Sequence, residues 1–381
     1  MKRLRSLVAA ASATSALFAL SACADKVDES QSTNFTVAAS DTECTVDGLE
    51  QGATTGTSTF NITNSGKKTT EFYVYTSGGR VVGEVENIGP GATRKLVVQI
   101  TDPGDCTLTC KPGMVGDGIS QSLTVTGDAI EATSDEVLTQ AIDGYISYVR
   151  SQTTALQGQV DEFVAAIEAD DLEAAKTAFP LARTPYERIE PVAESFPDDL
   201  DPRIDLREAD LQDGDTWTGF HKIEKQLWVD GKITDETKAD AAQLKDDIQE
   251  LVDGVAADDY TLTAVQIASG AQGLLDEIAT SKITGEEDIF SHTDLYDFQA
   301  NLDGSKAAIA SLEKALNERD SKLLSDINER FSDVQALLDK YKEGDGFVSY
   351  DKVSQDERTE LSQALDVLTE KVSTVQEVVA E

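Results

Sequence analysis

The chain changes its hydrophobic period once, near residue 130, and that change divides it between two fold classes. Before it, apolar and polar residues alternate in short runs at 57–63, 71–76, 81–85, 94–100 and 121–125. Turn-forming clusters separate the runs: Asn64-Ser65-Gly66, Ser77-Gly78-Gly79, Gly89-Pro90-Gly91 and Asp102-Pro103-Gly104. Short strands at this spacing predict a small β-sandwich over residues 34–127. Beyond the change, Leu138, Ile142, Tyr145, Val149, Leu156, Val160, Phe163 and Ile167 recur at intervals of three, four and seven. They form one apolar stripe on a helix of roughly eight or nine turns. Residues 127–134 are the boundary, with Thr133 and Glu136 as the expected capping box. Pro180 and Pro185 punctuate, a helix is expected over 187–195, and an Asp/Pro loop over 197–203. Further helical patterns cover about 216–230, 235–256, 260–283, 303–318, 320–342 and 355–379. The expectation is a mixed, two-domain protein: a β-sandwich, then an all-α antiparallel bundle over residues 135–381.

The first residues are Met1-Lys-Arg-Leu-Arg, followed by a small-apolar run over 6–20 too short to span a bilayer. This reads as a secretory signal peptide, residues 1–22, ending in Leu20-Ser21-Ala22-Cys23. Small residues before a cysteine suit a lipoprotein signal peptidase, which leaves Cys23 to carry the lipid. Residues 23–33 then form a lipidated tether, and the expected location is extracytoplasmic, on the outer face of the cell membrane. The formal charge is −39, and loss of Lys2, Arg3 and Arg5 makes it more negative still. Such a surface repels nucleic acid and attracts cations.

The chain holds two histidines, His221 and His292. On a helix, His221 and Glu224 stand three residues apart on one face, so an imidazole and a carboxylate can share a metal ion. His-x-x-Glu alone is a weak signal, and a salt-bridged helix face produces it as well. The H-E-x-x-H pattern of zinc peptidases is absent, as are a nucleotide-binding glycine loop and a hydrolase nucleophile elbow. One histidine among carboxylates is an oxygen-rich donor set that suits iron, manganese or calcium better than a closed zinc site. His292 either caps the helix near Thr293 or lines a pocket. Trp217 and Trp228 read as bundle core.

The text around His221 is more specific. Tyr186-Glu-Arg-Ile-Glu-Pro-Val-Ala-Glu194, Ile204-Asp-Leu-Arg207, Gly219-Phe-His-Lys-Ile-Glu224 and Ser291-His-Thr-Asp-Leu-Tyr-Asp-Phe-Gln-Ala-Asn301 resemble the imelysin (M75 peptidase-like) family over about residues 135–381. The resemblance implies a metal site at His221 and Glu224, completed by Glu187, Glu190 and Asp205, with Glu286, Glu287 and Asp288 as further acids nearby. Each acid also has a local explanation: Glu187 pairs with Arg188 or Arg183, Asp205 caps a helix, and 286–288 is a solvated loop.

The N-terminal segments Glu71-Phe-Tyr-Val-Tyr75, Val81-Val-Gly-Glu-Val-Glu-Asn-Ile-Gly-Pro-Gly91 and Cys110-Lys-Pro-Gly-Met114 resemble the cupredoxin-like domain that precedes imelysin in EfeO-type iron-uptake lipoproteins. That resemblance implies capture of iron, as Fe2+ or Fe3+, and its delivery to a membrane iron permease working with a haem peroxidase of the dye-decolorising type. The alternative is a metal-dependent peptidase of imelysin type using His221 and Glu224. A blue-copper site needs histidines that this domain lacks. A second candidate site is Cys110 and Met114 with Glu71 or Glu84, holding copper or another divalent metal. Against it stands a Cys44–Cys110 disulfide, expected of an exported protein, with Cys106 as the alternative partner.

Overall fold

A computed structural model of the chain describes residues 33–197, 200–212 and 214–380. The expected signal peptide, Cys23 and nearly all of the tether lie outside these residues. Strands β1 (Thr33–Ala39), β2 (Cys44–Asp47), β3 (Ala53–Thr54), β4 (Gly56–Asn64), β5 (Thr70–Tyr75), β6 (Val81–Ile88), β7 (Thr93–Ile100), β8 (Gly104–Pro112) and β9 (Ile119–Thr126) build two sheets. Their orders are β2-β1-β4-β7 and β3-β9-β8-β5-β6. The β1/β4 pair is parallel, with Phe35 opposite Phe60, and β3/β9 is also parallel. Alternation turns Phe35, Phe60 and Phe72 into the space between the sheets, where Phe35 and Phe60 stack at 4.9 Å. Gly83 is required there, because a Cβ on it would meet Val98 Cγ1 at 2.2 Å. A disulfide joins Cys44 to Cys110, linking one sheet to the other, while Cys106 is free and buried.

The helical part comprises α1 (Glu136–Glu168), α2 (Leu172–Glu187), α3 (Glu190–Glu194), α4 (Leu200–Asp205), α5 (Gly219–Lys225), α6 (Asp235–Ala256), α7 (Ala264–Glu277), α8 (Asp294–Ser311), α9 (Glu313–Leu338), α10 (Gln355–Val372) and α11 (Val375–Ala380). Single π-helical segments extend α5 over Gln226–Asp230 and α7 over Ile278–Lys282. The apolar stripe of α1 is buried as its spacing requires. Its cap differs from the expected box: Asp135 accepts the Val137 N–H at 2.7 Å, while the Thr133 hydroxyl accepts from the N–H of Asp135. Pro180 and Pro185 lie buried inside α2 rather than ending it. The expected helix over 187–195 is broken, with α2 ending at Glu187 and α3 opening at Glu190 with Pro191 in its first turn. The Asp/Pro loop is partly helical, since Pro202 sits in the first turn of α4, where its missing N–H costs no bond. Helix α8 starts nine residues before the expected 303, and α9 kinks at Asp320 (φ −149°, ψ 77°).

The two parts meet along β6, β7 and α7. The Arg80 guanidinium lies over Phe196 at 5.6 Å and Tyr260 at 5.1 Å. Val81 N–H donates to the Ser195 carbonyl at 3.3 Å, and Lys95 pairs with Glu377 at 2.7 Å.

Candidate metal centre

Gly219 decides where the imidazole goes. Its φ is +83°, and a Cβ would lie 2.1 Å from the Ile204 carbonyl oxygen, so only glycine lets α5 start this close to the end of α4. Thr218 Oγ1 donates to the Arg203 carbonyl at 2.8 Å, and Trp217 Nε1 to the Leu206 carbonyl at 2.7 Å, which fixes the approach. Two residues into α5, His221 is 1% exposed.

Both ring nitrogens of His221 face carboxylates. Nδ1 lies 3.2 Å from Glu224 Oε2 and 3.9 Å from Asp288 Oδ1; Nε2 lies 3.6 Å from both Asp205 Oδ1 and Glu287 Oε1. Two overlapping triads, Asp205–His221–Glu287 and His221–Glu224–Asp288, each bring ligand atoms within 4.8 Å of one another. Glu224 is held in place by the loop before α8: its Oε1 accepts the N–H groups of Phe290 at 3.0 Å and Ser291 at 2.7 Å.

Two buried cations share the same space. Arg183 pairs with Asp205 and Glu187, reaches Glu287 at 2.9 Å, and sits 3.5 Å from Asp297 and 3.6 Å from Asp288. Lys282, brought in by the π segment after α7, lies 3.2 Å from Glu187, 3.6 Å from Glu287 and 3.7 Å from Glu190. Asn301 Nδ2 donates to the Glu187 carbonyl at 2.6 Å and to Glu187 Oε2 at 3.1 Å. Sequence reasoning passed over Lys282, Asp294 and Asp297 and treated Arg183 only as a local helix partner. Asp294, Asp297 and Asn301 stand at i, i+3 and i+7, one face of α8, a spacing that marks them in the sequence. No sequence spacing marks Lys282.

The electrostatics follow from burial. Burial and the Arg183 guanidinium both oppose the His221 imidazolium, yet Asp205, Glu224 and Glu287 outweigh them and hold its pKa up to about 10. Burial pushes Glu187 up to about 7 against the pull of Lys282 and Arg183, and lifts Glu190 well above the carboxylate range. Burial and Asp288 raise Asp294 to about 8. Glu287 goes the other way: burial would raise it, but Lys282, His221 and Arg207 together hold it well below. Even so, His221 Nε2, Asp288 Oδ1, Asp294 Oδ2 and both oxygens of Asp297 are sealed from solvent without a hydrogen-bond partner. Buried polar atoms seldom stay unpaired, and convergent carboxylate oxygens with one imidazole are the donor set of a hard cation.

His221, Glu224 and Asp205 therefore come together with Glu287 and Asp288, whereas Glu187 and Glu190 are buried beside them and reach the group only through Arg183, Lys282 and Asn301; Glu286 is exposed. His292 is exposed too. Its N–H donates to the Asp288 carbonyl at 2.7 Å in a left-handed turn (φ 58°), which steers Asp288 inward. Trp228 packs edge-on against Phe179 at 5.4 Å.

In the sandwich the expected Cys44–Cys110 disulfide forms, and the competing soft-metal arrangement does not. Cys110 is bonded to Cys44 and offers no thiolate, and Met114 sits in the turn after β8 with φ +61°. Glu71 and Glu84 instead face the helical part.

The imelysin model of the M75 peptidases matches residues 141–375, and a cupredoxin-like domain model matches residues 10–125. An Efem/EfeO family lipoprotein of Staphylococcus haemolyticus strain JCSC1435 is 46% identical over 239 residues, covering 62% of this chain and 82% of that protein. Family lipoproteins of Staphylococcus aureus strains MSSA476 and USA300 are 45% and 44% identical over 240 residues, each covering 62% of this chain and 84% of the relative.

Proposed function

The chain belongs to the imelysin family, among the EfeM/EfeO lipoproteins, and from that premise we propose that it captures iron outside the cytoplasm and passes it to a membrane iron permease. The observation that carries this reading is the buried His221 ring, whose Nδ1 lies 3.2 Å from Glu224 and whose Nε2, without a hydrogen bond, lies 3.6 Å from both Asp205 and Glu287. His221 and Glu224 anchor the cation, with Glu187, Glu190 and Asp205 completing the set together with Glu287 and Asp288. Iron, as Fe2+ or Fe3+, is the cargo, and it suits donors that are nearly all oxygen.

Each residue has a definite task. The imidazole binds a cation only as the neutral base, so an arriving ion displaces its proton. Glu224 cannot swing away, because two backbone N–H groups hold one oxygen while the other faces His221. The same restraint argues against the peptidase alternative, in which Glu224 would serve as a free general base. Arg183 and Lys282 balance the carboxylates before the ion arrives, and Lys282, a point charge on a flexible four-carbon stem, is the one that yields, while Arg183 is hydrogen-bonded to Asp205, Glu187 and Glu287.

Around this site the reading includes a signal peptide over residues 1–22, a lipid at Cys23, a cupredoxin-like domain over 34–127 and an imelysin-like domain over 135–381. A haem peroxidase of the dye-decolorising type is the expected companion of the permease. No helix of the described residues is long and apolar enough to cross a membrane. The test is anaerobic calorimetry of Fe2+ binding to the purified chain beside a His221→Ala/Glu224→Ala variant. Saturable binding near one equivalent, lost in the variant, is expected; binding unchanged in the variant overturns the assignment.

A further inference from the structure

The loop between Lys282 and α8 forms one wall of the candidate centre, and it is neither helix nor strand. Its Glu287 Oε1 and Asp288 Oδ1 face the two ring nitrogens of His221 at 3.6 and 3.9 Å, and the N–H groups of Phe290 and Ser291 hold Glu224 Oε1. On its outer side Thr284, Glu286, Ile289 and His292 stand exposed. A segment open to solvent on one side keeps its shape through the contacts that tie its ends.

One residue far along the chain ties both ends. Tyr350, 1% exposed, donates its Oη hydrogen to the Ile283 carbonyl at 2.6 Å and its backbone N–H to the His292 carbonyl at 2.9 Å. Its ring lies against Gly285, where φ is +81° and a Cβ would stand 3.0 Å from Tyr350 Cδ1. The Gly285 N–H closes on the Lys282 carbonyl at 3.2 Å, so the same ring backs the turn that ends the Lys282 segment. Arg358 holds the ring in turn. Its guanidinium lies 4.2 Å from the ring centroid and donates to the Thr284 carbonyl at 3.0 Å and the Tyr350 carbonyl at 3.2 Å. The short ribbon before Tyr350, Lys342–Glu343 paired with Gly346–Phe347, rests on α8, where Phe347 meets Tyr296 edge-on at 5.4 Å.

We propose that Tyr350 is a positioning residue for the metal centre: by fixing both ends of the 283–292 loop, it sets where Glu287, Asp288 and the two N–H groups on Glu224 stand relative to His221. It acts through the backbone of the loop and not on the ion. His221 and Glu224 share one turn of α5 and move as a unit, so the distance between that turn and the loop decides how many donors reach one cation. A carboxylate displaced by about 1 Å leaves the bonding range of a hard cation, about 2.0–2.6 Å. The inference rests on the His221 site taking a cation.

The test is a Co2+ titration of the purified, metal-free full chain, followed by the visible d–d absorption of the bound ion, for the parent and for Tyr350→Phe. That substitution removes the bond to the Ile283 carbonyl and keeps both the ring against Gly285 and the backbone bond to His292. Expected are Co2+ binding weaker by about tenfold and an altered absorption band. Amide hydrogen exchange over residues 284–292 should also be faster in the metal-free variant. The band separates positioning from a general loss of stability, because it reports only the donors around the bound ion. Arg358→Gln, which frees the Thr284 carbonyl, gives the same reading should Tyr350→Phe fail to fold. A folded variant whose band matches that of the parent, whatever its affinity, overturns the inference and leaves the iron reading intact. A parent that binds no Co2+, or binds it unchanged after His221→Ala/Glu224→Ala, removes the metal centre itself and this inference with it.

Discussion

Lys282 Nζ lies 3.2 Å from Glu187 Oε2, and neither side chain is exposed to solvent. They come from the two ends of the candidate centre, Glu187 closing α2 and Lys282 closing the π segment after α7. The ammonium therefore occupies charge-balancing space that an incoming cation must take over. Removing one member of a buried pair leaves the other uncompensated, a cost of about 3–5 kcal/mol. Lys282→Met is expected to destabilise the metal-free protein by about 3 kcal/mol in urea unfolding. Added cation should recover most of that loss and bind more tightly than to the parent. Equal stability with and without cation would show that Lys282 does not compete for the site.

Stability should depend on pH with a definite sign. Glu71 and Glu84 sit at about 7 in the folded chain against 4.5 as the ordinary value, and Asp294 at about 8 against 3.8. A carboxyl with a raised folded pKa contributes fully below its unfolded pKa and loses that contribution as pH climbs through the folded one. His221, raised to about 10, acts in the same direction above pH 6.5. Glu287, held low, acts only below about pH 4.5. The melting temperature of the metal-free protein is therefore expected to fall by several degrees between pH 5 and pH 8. Saturating cation should flatten that slope, and a melting temperature that rises over this range would contradict the account.

Proton release should accompany metal uptake. With its pKa near 10, His221 is an imidazolium at neutral pH, and only the neutral ring binds a cation. Calorimetry in buffers of different ionisation enthalpy is expected to show at least one proton released per ion. Apparent affinity should rise by about tenfold per pH unit between pH 6 and 8. A pH-independent affinity would remove His221 from the ligand set.

Gly219 offers a test of positioning. Gly219→Ala puts a Cβ where the Ile204 carbonyl stands, at a φ that side chains rarely adopt. The expected cost is about 1–3 kcal/mol, with Fe2+ affinity reduced as α5 moves away from Asp205. The fold should survive, as the far-ultraviolet circular dichroism will show. Unaltered affinity would mean that the α4–α5 contact does not set the site.

What was legible in the sequence depended on the range of the interaction. Period two and period 3.6 are local, so five of the nine sandwich strands (β4, β5, β6, β7 and β9) and the α1 stripe could be read directly. His221 and Glu224 share one turn of one helix and were legible for the same reason. The Thr133 box failed because Asp135, two residues on, is the better cap once Thr133 turns its hydroxyl to the Asp135 N–H. Pro180 and Pro185 misled because their burial in the core outweighs the backbone bonds they remove. Lys282 could not be anticipated: it meets Glu187 from 95 residues away, through a π segment with no local signature. Glu71 and Glu84 were singled out by sequence, but with Cys110 and Met114 as companions; the disulfide took the thiolate, and the bundle supplied the neighbours.

The central claim is that iron binds at His221, and the most direct measurement is an anomalous difference map at the iron absorption edge from crystals grown anaerobically with Fe2+. The account predicts a peak within bonding distance, about 2.0–2.3 Å, of a His221 ring nitrogen and a Glu224 oxygen, with Lys282 shifted away from it. An iron-loaded crystal with no peak near His221 would contradict the claim and leave the buried histidine as a structural ion-pair partner.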